Sequence, residues 1–327
     1  MPRSALRSLA SRVQRSSLAR ALALIAAVTA LLGGAGCECD PLSDGEDAPR
    51  AEKPARRHHR KRPRRRAAPP PSETSDETPP APPGTPSIHL ALGTPVDADP
   101  SDDWLLVKPQ YALSYNPIRL GASWVSWELN ARYYGGEPRH KGRFIPDESL
   151  PAGWYRVRHE DFSRSDYDRG HMVRSEERTR SRRDNTSTFL LTNVLPQRHD
   201  LNAGPWLRLE DYCRELAQHG RKEMFVTAGP IFGPRPDTIG HGVAVPEAFF
   251  KIVVVLGREQ GPADVSEETR VIAVIMPNVI GVAEERWGQY RTSVVEIEQR
   301  TGYRFLGDVH EATREALVRR VDDGPTG

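Results

Sequence analysis

Cysteine is scarce in this chain of 327 residues: Cys37 and Cys39 lie near the N-terminus, and only Cys213 falls in the main body. A disulfide framework is thereby excluded, and Cys213 is expected to be a buried free thiol, with a bridge to Cys39 as the alternative. Charge of one sign is also missing, since 46 Lys/Arg against 44 Asp/Glu give a net +2. Residues 1–100 hold 15 Lys/Arg and 11 Asp/Glu, leaving 31 and 33 for the rest, so the +2 divides into +4 and −2. A globally basic nucleic-acid-binding domain is excluded; a local basic patch is not. No long hydrophobic run is evident. The apolar stretch Ala21–Leu32 would span about 18 Å as a helix, short of the roughly 30 Å of a bilayer core. The histidines form no HExxH or Cys/His zinc pattern, and Asp161, Asp166 and Asp168 lack the glycine and terminal glutamate of an EF-hand loop.

What the first 86 residues do contain is an address and a spacer. Arg3, Arg7, Arg12, Arg15 and Arg20 precede that apolar stretch, and small residues follow it up to Cys37. A positive segment, a short apolar segment and a small-residue end describe an export signal over residues 1–36. Gly34-Ala35-Gly36-Cys37 resembles a bacterial lipobox, with Gly34 where that motif usually has leucine. Cys37 is therefore a candidate for lipidation and a membrane tether, and the expected location is periplasmic, outer-membrane-anchored or secreted. Residues 37–86 are nearly devoid of large apolar side chains. Arg56–Arg66 carries eight Lys/Arg in eleven positions and Ala67–Pro86 eight prolines in twenty, the composition of a disordered, partly extended linker. Its basic run suits either phosphate contacts or a solvated spacer.

The remaining residues, 87–327, read as one α+β domain. Trp124–Leu129 alternates as a strand with one buried face, and Thr188–Val194, Met224–Thr227, Phe249–Leu256 and Arg270–Met276 are further β-rich runs. Lys251–Leu256 has the pattern of a strand buried on both faces. A helix is expected from Asn202, an N-cap-capable residue ahead of Pro205, to Gly220; Ser293–Gln299 and Glu311–Val321 also read as helices. Strands and helices do not alternate regularly, which argues against a doubly wound parallel sheet and for a mixed or antiparallel central sheet with flanking helices.

Chemistry concentrates between Arg139 and Arg214. Asp168-Arg169-Gly170-His171 sets an imidazole, suited to proton abstraction near neutral pH, beside a guanidinium whose fork suits phosphate. Asp168 is placed to orient the ring or the local turn. Downstream, Asn202 offers a neutral oxygen to a hard cation that keeps several waters, or caps its helix. Glu210 and Arg214, four apart, share a helix face and can pair. From Arg156 to Arg183 nine arginines face six acids, enough for a basic groove. Arg178, Arg180, Arg182 and Arg183 fit that groove or ordinary surface ion pairs. Trp206 reads as core.

These motifs carry a resemblance. Asp168-Arg169-Gly170-His171, Thr192–Gln197 and Leu201-Asn202-x-x-x-Trp206-x-x-Leu209-Glu210-x-x-x-Arg214 resemble the signature of the DNA/RNA non-specific endonucleases, ββα-metal nucleases with a DRGH motif. Likeness extends from about Leu105 to Leu306 and is greater to the secreted bacterial branch. It implies His171 as general base, Asn202 as the one direct protein ligand of Mg²⁺ (Mn²⁺ as substitute), and Glu210 as the acid supporting the waters around that ion. It implies Arg139, or Arg143 four residues on, at the scissile phosphate, Arg169 as a further catalytic residue beside His171, and Asp168, Asn193, Gln197 and Arg214 supporting or binding substrate. The activity implied is hydrolysis of DNA and RNA, double- or single-stranded, leaving 5′-phosphates. Two rivals stand: an envelope-tethered nucleic-acid-binding protein without catalysis, and a nuclease tied to an inhibitor or toxin role.

Overall fold

The computed structural model describes residues 87–327. The expected export signal (1–36), Cys37 and the linker (37–86) lie outside the described residues. The chain forms strands β1 (Trp104–Val107), β2 (Ala112–Asn116), β3 (Gly121–Leu129), β4 (Asp168–His171), β5 (Val194–Gln197) and β6 (Glu223–Ile231). Five more follow: β7 (Thr238–Ile239), β8 (Val243–Ala244), β9 (Ala248–Leu256), β10 (Arg270–Pro277) and β11 (Arg291–Thr292). Seven of them build one antiparallel sheet in the order β1-β2-β3-β6-β9-β10-β11, while β4-β5 and β7-β8 are separate ribbons. The helices are α1 (Arg182–Ser187), α2 (His199–Leu201), α3 (Leu207–Gln218), α4 (Val294–Thr301) and α5 (Glu311–Arg319). None is long and apolar enough to cross a membrane.

The sheet is the middle layer, and the period-2 pleat of β9 shows why. Phe249 and Val253 join the core under α3, with Leu209, Cys213 and Ala217. Phe250, Ile252 and Val254 join the opposite core, closed by Val294 and Ile297 of α4 and Leu317 and Val318 of α5. The ribbon β4-β5 and α3 thus share one side of the sheet. Ser293 caps α4 and Gly302 ends it at φ +81°, the left-handed conformation glycine adopts freely.

Three local expectations are corrected. Strand β3 has both faces covered, not one: all nine of its residues are buried. The run Thr188–Val194 is not a strand. Thr188 closes α1, Leu191–Asn193 forms a 3₁₀ turn, and the strand comprises Val194–Gln197. Side-chain bonds to the backbone outcompete a ladder here: the Thr188 hydroxyl donates to the Asn185 carbonyl at 2.8 Å, and the Asn193 amide donates to the Thr188 carbonyl at 2.9 Å. Finally, Asn202 is not the N-cap of a helix. It sits in helical conformation (φ −60°, ψ −46°) after α2, inside a turn whose regularity breaks at Gly204. Glycine is required there because a Cβ would lie 2.9 Å from the Ala283 carbonyl oxygen. The end of α3 before Gly220 is as expected.

Candidate active site

The ribbon fixes the geometry of the DRGH motif. Asp168 pairs in register with Gln197, Arg169 with Pro196, Gly170 with Leu195 and His171 with Val194. Pro196 lacks an N–H, which a two-stranded ribbon tolerates better than a sheet interior. Gly170 is dictated by Gln197, whose Cβ would lie 2.6 Å from an added methyl group. Gly170→Ala is therefore expected to force β4 from β5 and cost about 1–3 kcal/mol, read as a lowered urea midpoint.

His171 is half-buried. Its ring centre lies 5.1 Å from Phe144 and 5.0 Å from Phe189, the latter ring nearly perpendicular at 85°. Nε2 is enclosed without a protein partner. Desolvation, and then the positive charge of Arg139, lower the ring's pKa to about 3, so the imidazole is neutral at pH 7. The Arg139 guanidinium covers the same Phe189 ring at 5.0 Å, bonds the Ser175 hydroxyl and approaches Glu176 at 3.4 Å. Arg143 instead pairs with Glu160 on the surface. Of the two arginines, it is Arg139 that stands beside the imidazole.

Arg169 shares the His171 face of β4 but is committed to structure. It donates to the His159 carbonyl at 2.7 Å and packs between Phe144 (5.9 Å) and Phe162 (5.5 Å). Asp168 does more than shape a turn. Its Oδ2 accepts the Asn202 side-chain amide at 2.9 Å and meets His199 Nδ1 at 2.8 Å. With its N–H₂ so engaged, Asn202 has its carbonyl oxygen left as a free acceptor. That is the donor a hard cation selects, so these residues fit the single-ligand metal site implied by the resemblance. The trio Asp97, Asp102 and Asp103 also clusters its carboxylates within 4.8 Å. There, Asp102 accepts from Asn116 at 2.6 Å and Asp103 from Tyr303 at 2.7 Å, tying the N-terminal turn to β2 and the α4–α5 connection.

Glu210 does not pair with Arg214, whose partner is Asp211 at 3.3 Å. It points under the helix, where Lys251 Nζ meets its Oε1 at 3.2 Å and Arg174 Nε lies 3.8 Å from Oε2. Burial raises the Glu210 pKa, against the opposing pull of Lys251 and Arg174. Arg174 also binds Glu176 (2.9 Å) and Asp211 (2.7 Å), joining the His171 and Glu210 ends of the site. Lys251 and Arg174 were not among the residues expected from sequence. The signal for Lys251 was a lysine inside the apolar run Phe249–Leu256.

Asn193 and Gln197 are fully buried and cannot touch substrate. Asn193 clamps Val173, accepting its N–H and donating to its carbonyl, both at 3.0 Å, which fixes the backbone two residues beyond His171. The two amide atoms of Gln197 have no protein partner. Arg178, expected at the surface in a groove or an ion pair, is wholly buried and donates to the carbonyls of Gln110 and Glu128. Trp206 is core, 5.7 Å from Phe249, and Cys213 is a buried free thiol.

The pattern of the DNA/RNA non-specific endonuclease family matches residues 91–312. A nuclease of Nostoc sp. is 44% identical over 242 residues, 72% of this chain and 87% of that protein. Mitochondrial endonuclease G of Homo sapiens is 29% identical over 62% of this chain and 69% of its own length. Mitochondrial nuclease EXOG of Danio rerio is 30% identical, with the alignment spanning 60% of this chain and 59% of that protein. The crystal structure of an EndoG/EndoGI complex superposes with a TM-score of 0.60 at 26% identity, covering 70% of this chain and 95% of that one. A neutral imidazole on a two-stranded ribbon, followed by the Asn202–Glu210 helical segment, on a chain matched over residues 91–312, places this protein in the DNA/RNA non-specific endonuclease family, whose members are metal-dependent.

Proposed function

We propose that this protein is an exported endonuclease that hydrolyses DNA and RNA, double- or single-stranded, with Mg²⁺ (or Mn²⁺) bound at Asn202, leaving 5′-phosphate ends. The observation that carries the reading is His171, held uncharged between Phe144 and Phe189 beside the Arg139 guanidinium. A ring nitrogen of His171 takes the proton from the water that attacks phosphorus. Arg139 sits where its charge holds the phosphate against that water. Asp168 orients Asn202 through its amide, and the bound cation would offset charge building on the phosphate and on the leaving 3′ oxygen. Glu210, held by Lys251 and Arg174, would support the waters of that cation as the resemblance implies, and Asn193 keeps His171 in register. Readout of bases is not needed, since these groups address the sugar-phosphate backbone.

Incubation of the full chain with supercoiled plasmid, single-stranded DNA and RNA tests this. All three are expected to be degraded in Mg²⁺ and left intact in EDTA, with termini that polynucleotide kinase labels only after phosphatase treatment. Substrates that shift on a gel yet remain uncut would establish the binding-protein alternative. Export predicts a mature N-terminus at or near Cys37, checked by mass spectrometry, where a diacylglycerol adduct would establish the membrane tether.

A further inference from the structure

Two clefts flank α1 beside the site. The first, of about 310 Å³, is lined by Arg139, His140, Lys141, Arg182 and Asn185 among others. The second, of about 180 Å³, includes Arg180, Arg183 and Tyr133. The first opens directly from the site. Arg139 and His140 both pack on Phe189, at 5.0 and 4.9 Å, and the same ring packs on His171 at 5.0 Å.

The cations here differ from those at the site itself. Arg139, Arg143, Arg174, Arg198 and Arg214 all have carboxylate partners. Lys141, Arg180, Arg182 and Arg183 are exposed and have none among the described residues. The nearby Asp184 carboxylate is engaged by Gln110 at 2.8 Å and Ser181 at 2.9 Å, and Glu137 is the other acid of this surface. The frame under these cations is fixed. His140 N–H donates to Asn185 Oδ1 at 2.7 Å, and Glu137 N–H to the Thr179 carbonyl at 3.0 Å, strapping the 137–141 loop to α1 and the turn before it.

We propose that the nucleic-acid strand flanking the scissile phosphate runs across the α1 face, its phosphates held by Lys141 and Arg182 in the near cleft and Arg180 and Arg183 in the far one. This rests on the placement of cleavage at His171 and adds the direction in which substrate leaves it. Uncommitted cations on a fixed frame bind a polyanion without first breaking ion pairs, and counterion release makes that binding steeply salt-dependent. Contacts of this kind are indifferent to base sequence and to the sugar.

The test compares the full chain with Lys141→Glu/Arg182→Glu. A charge-matched control, Arg221→Glu/Arg319→Glu, alters exposed residues elsewhere on the domain. Plasmid cleavage is followed from 50 to 300 mM NaCl, and bis(p-nitrophenyl) phosphate, a diester with no flanking nucleotides, reports the site alone. Expected for the cleft variant is a roughly tenfold higher plasmid KM, and a plot of log kcat/KM against log salt shallower by about two. Its kcat on the small diester should match that of the control. A plasmid KM and salt slope equal to the control's overturn the proposal, as does a parallel loss on the small diester. Wild-type chain that cuts neither substrate would instead remove the catalytic reading beneath it.

Discussion

His171→Ala is expected to lower kcat on plasmid DNA by about 10²–10⁴-fold, the contribution of a positioned general base, with little change in KM. The sequence of groups around the ring also sets its pH behaviour. Because the folded-state pKa is about 3, the base stays unprotonated through pH 5, and the acid limb attributable to it should fall well below the 6.5 of free imidazole. Stability follows the same linkage. A histidine whose pKa is depressed on folding contributes stability above pH 6.5 that is lost as pH falls from there towards 3, since the unfolded chain takes the proton first. The alanine variant should lack that part of the acid sensitivity, seen as a smaller drop in Tm between pH 7 and pH 4. A kcat that survives the substitution would remove His171 from the mechanism and leave the family assignment intact.

Lys251→Met should produce the largest stability change. The ammonium is 2% exposed, stacked 4.0 Å over Trp206 and hydrogen-bonded to Glu210, with the buried Glu177 in its field. Methionine keeps the volume but leaves two carboxylates without their shared cation, a loss of about 3–5 kcal/mol when one partner of a buried pair is removed. The sign with pH is fixed. Burial already raises the Glu177 pKa to about 7, with Lys251 as the foremost opposing influence. Removing the lysine raises both acids further, so folding requires protons that the unfolded chain does not hold. The variant should therefore be less destabilised at pH 5 than at pH 8 in urea titrations. Equal losses at both pH values would mean that packing over Trp206, not charge, is the role of Lys251.

The grouping of the candidate residues was legible because the DRGH spacing and the Asn202–Arg214 spacing are local. His171, Asn202 and Glu210 all lie on the β4-β5-α3 unit that the sequence implied. What escaped was non-local. The partner of Glu210 comes from β9, 41 residues away, so a helix-face argument paired it with Arg214 instead. Arg178 resembles its exposed neighbours in sequence, yet the carbonyls that bury it belong to residues 50 and 68 positions distant. The run Thr188–Val194 has β-forming composition, but side-chain bonds from Thr188 and Asn193 hold its backbone in turns. In Asn202 the usual preference for capping gave way to a bond with Asp168, across the ribbon rather than along the helix.

The position of the ribbon within the sheet order bears on how the chain reaches this fold. Strands β3 and β6 are neighbours in the sheet, but residues 130–222, 93 positions, intervene and contain β4, β5 and α1–α3. Closing a segment of that length costs about 4 kcal/mol of chain entropy before the central pairing returns anything. Until it closes, two nine-residue strands, one of them buried throughout and the other nearly so in the folded state, present bare apolar edges. Refolding yield should therefore fall steeply with protein concentration. The insertion that carries the candidate site lies inside the loop that the β3–β6 pairing closes, so a chain that mispairs its centre is expected to lack the site as well.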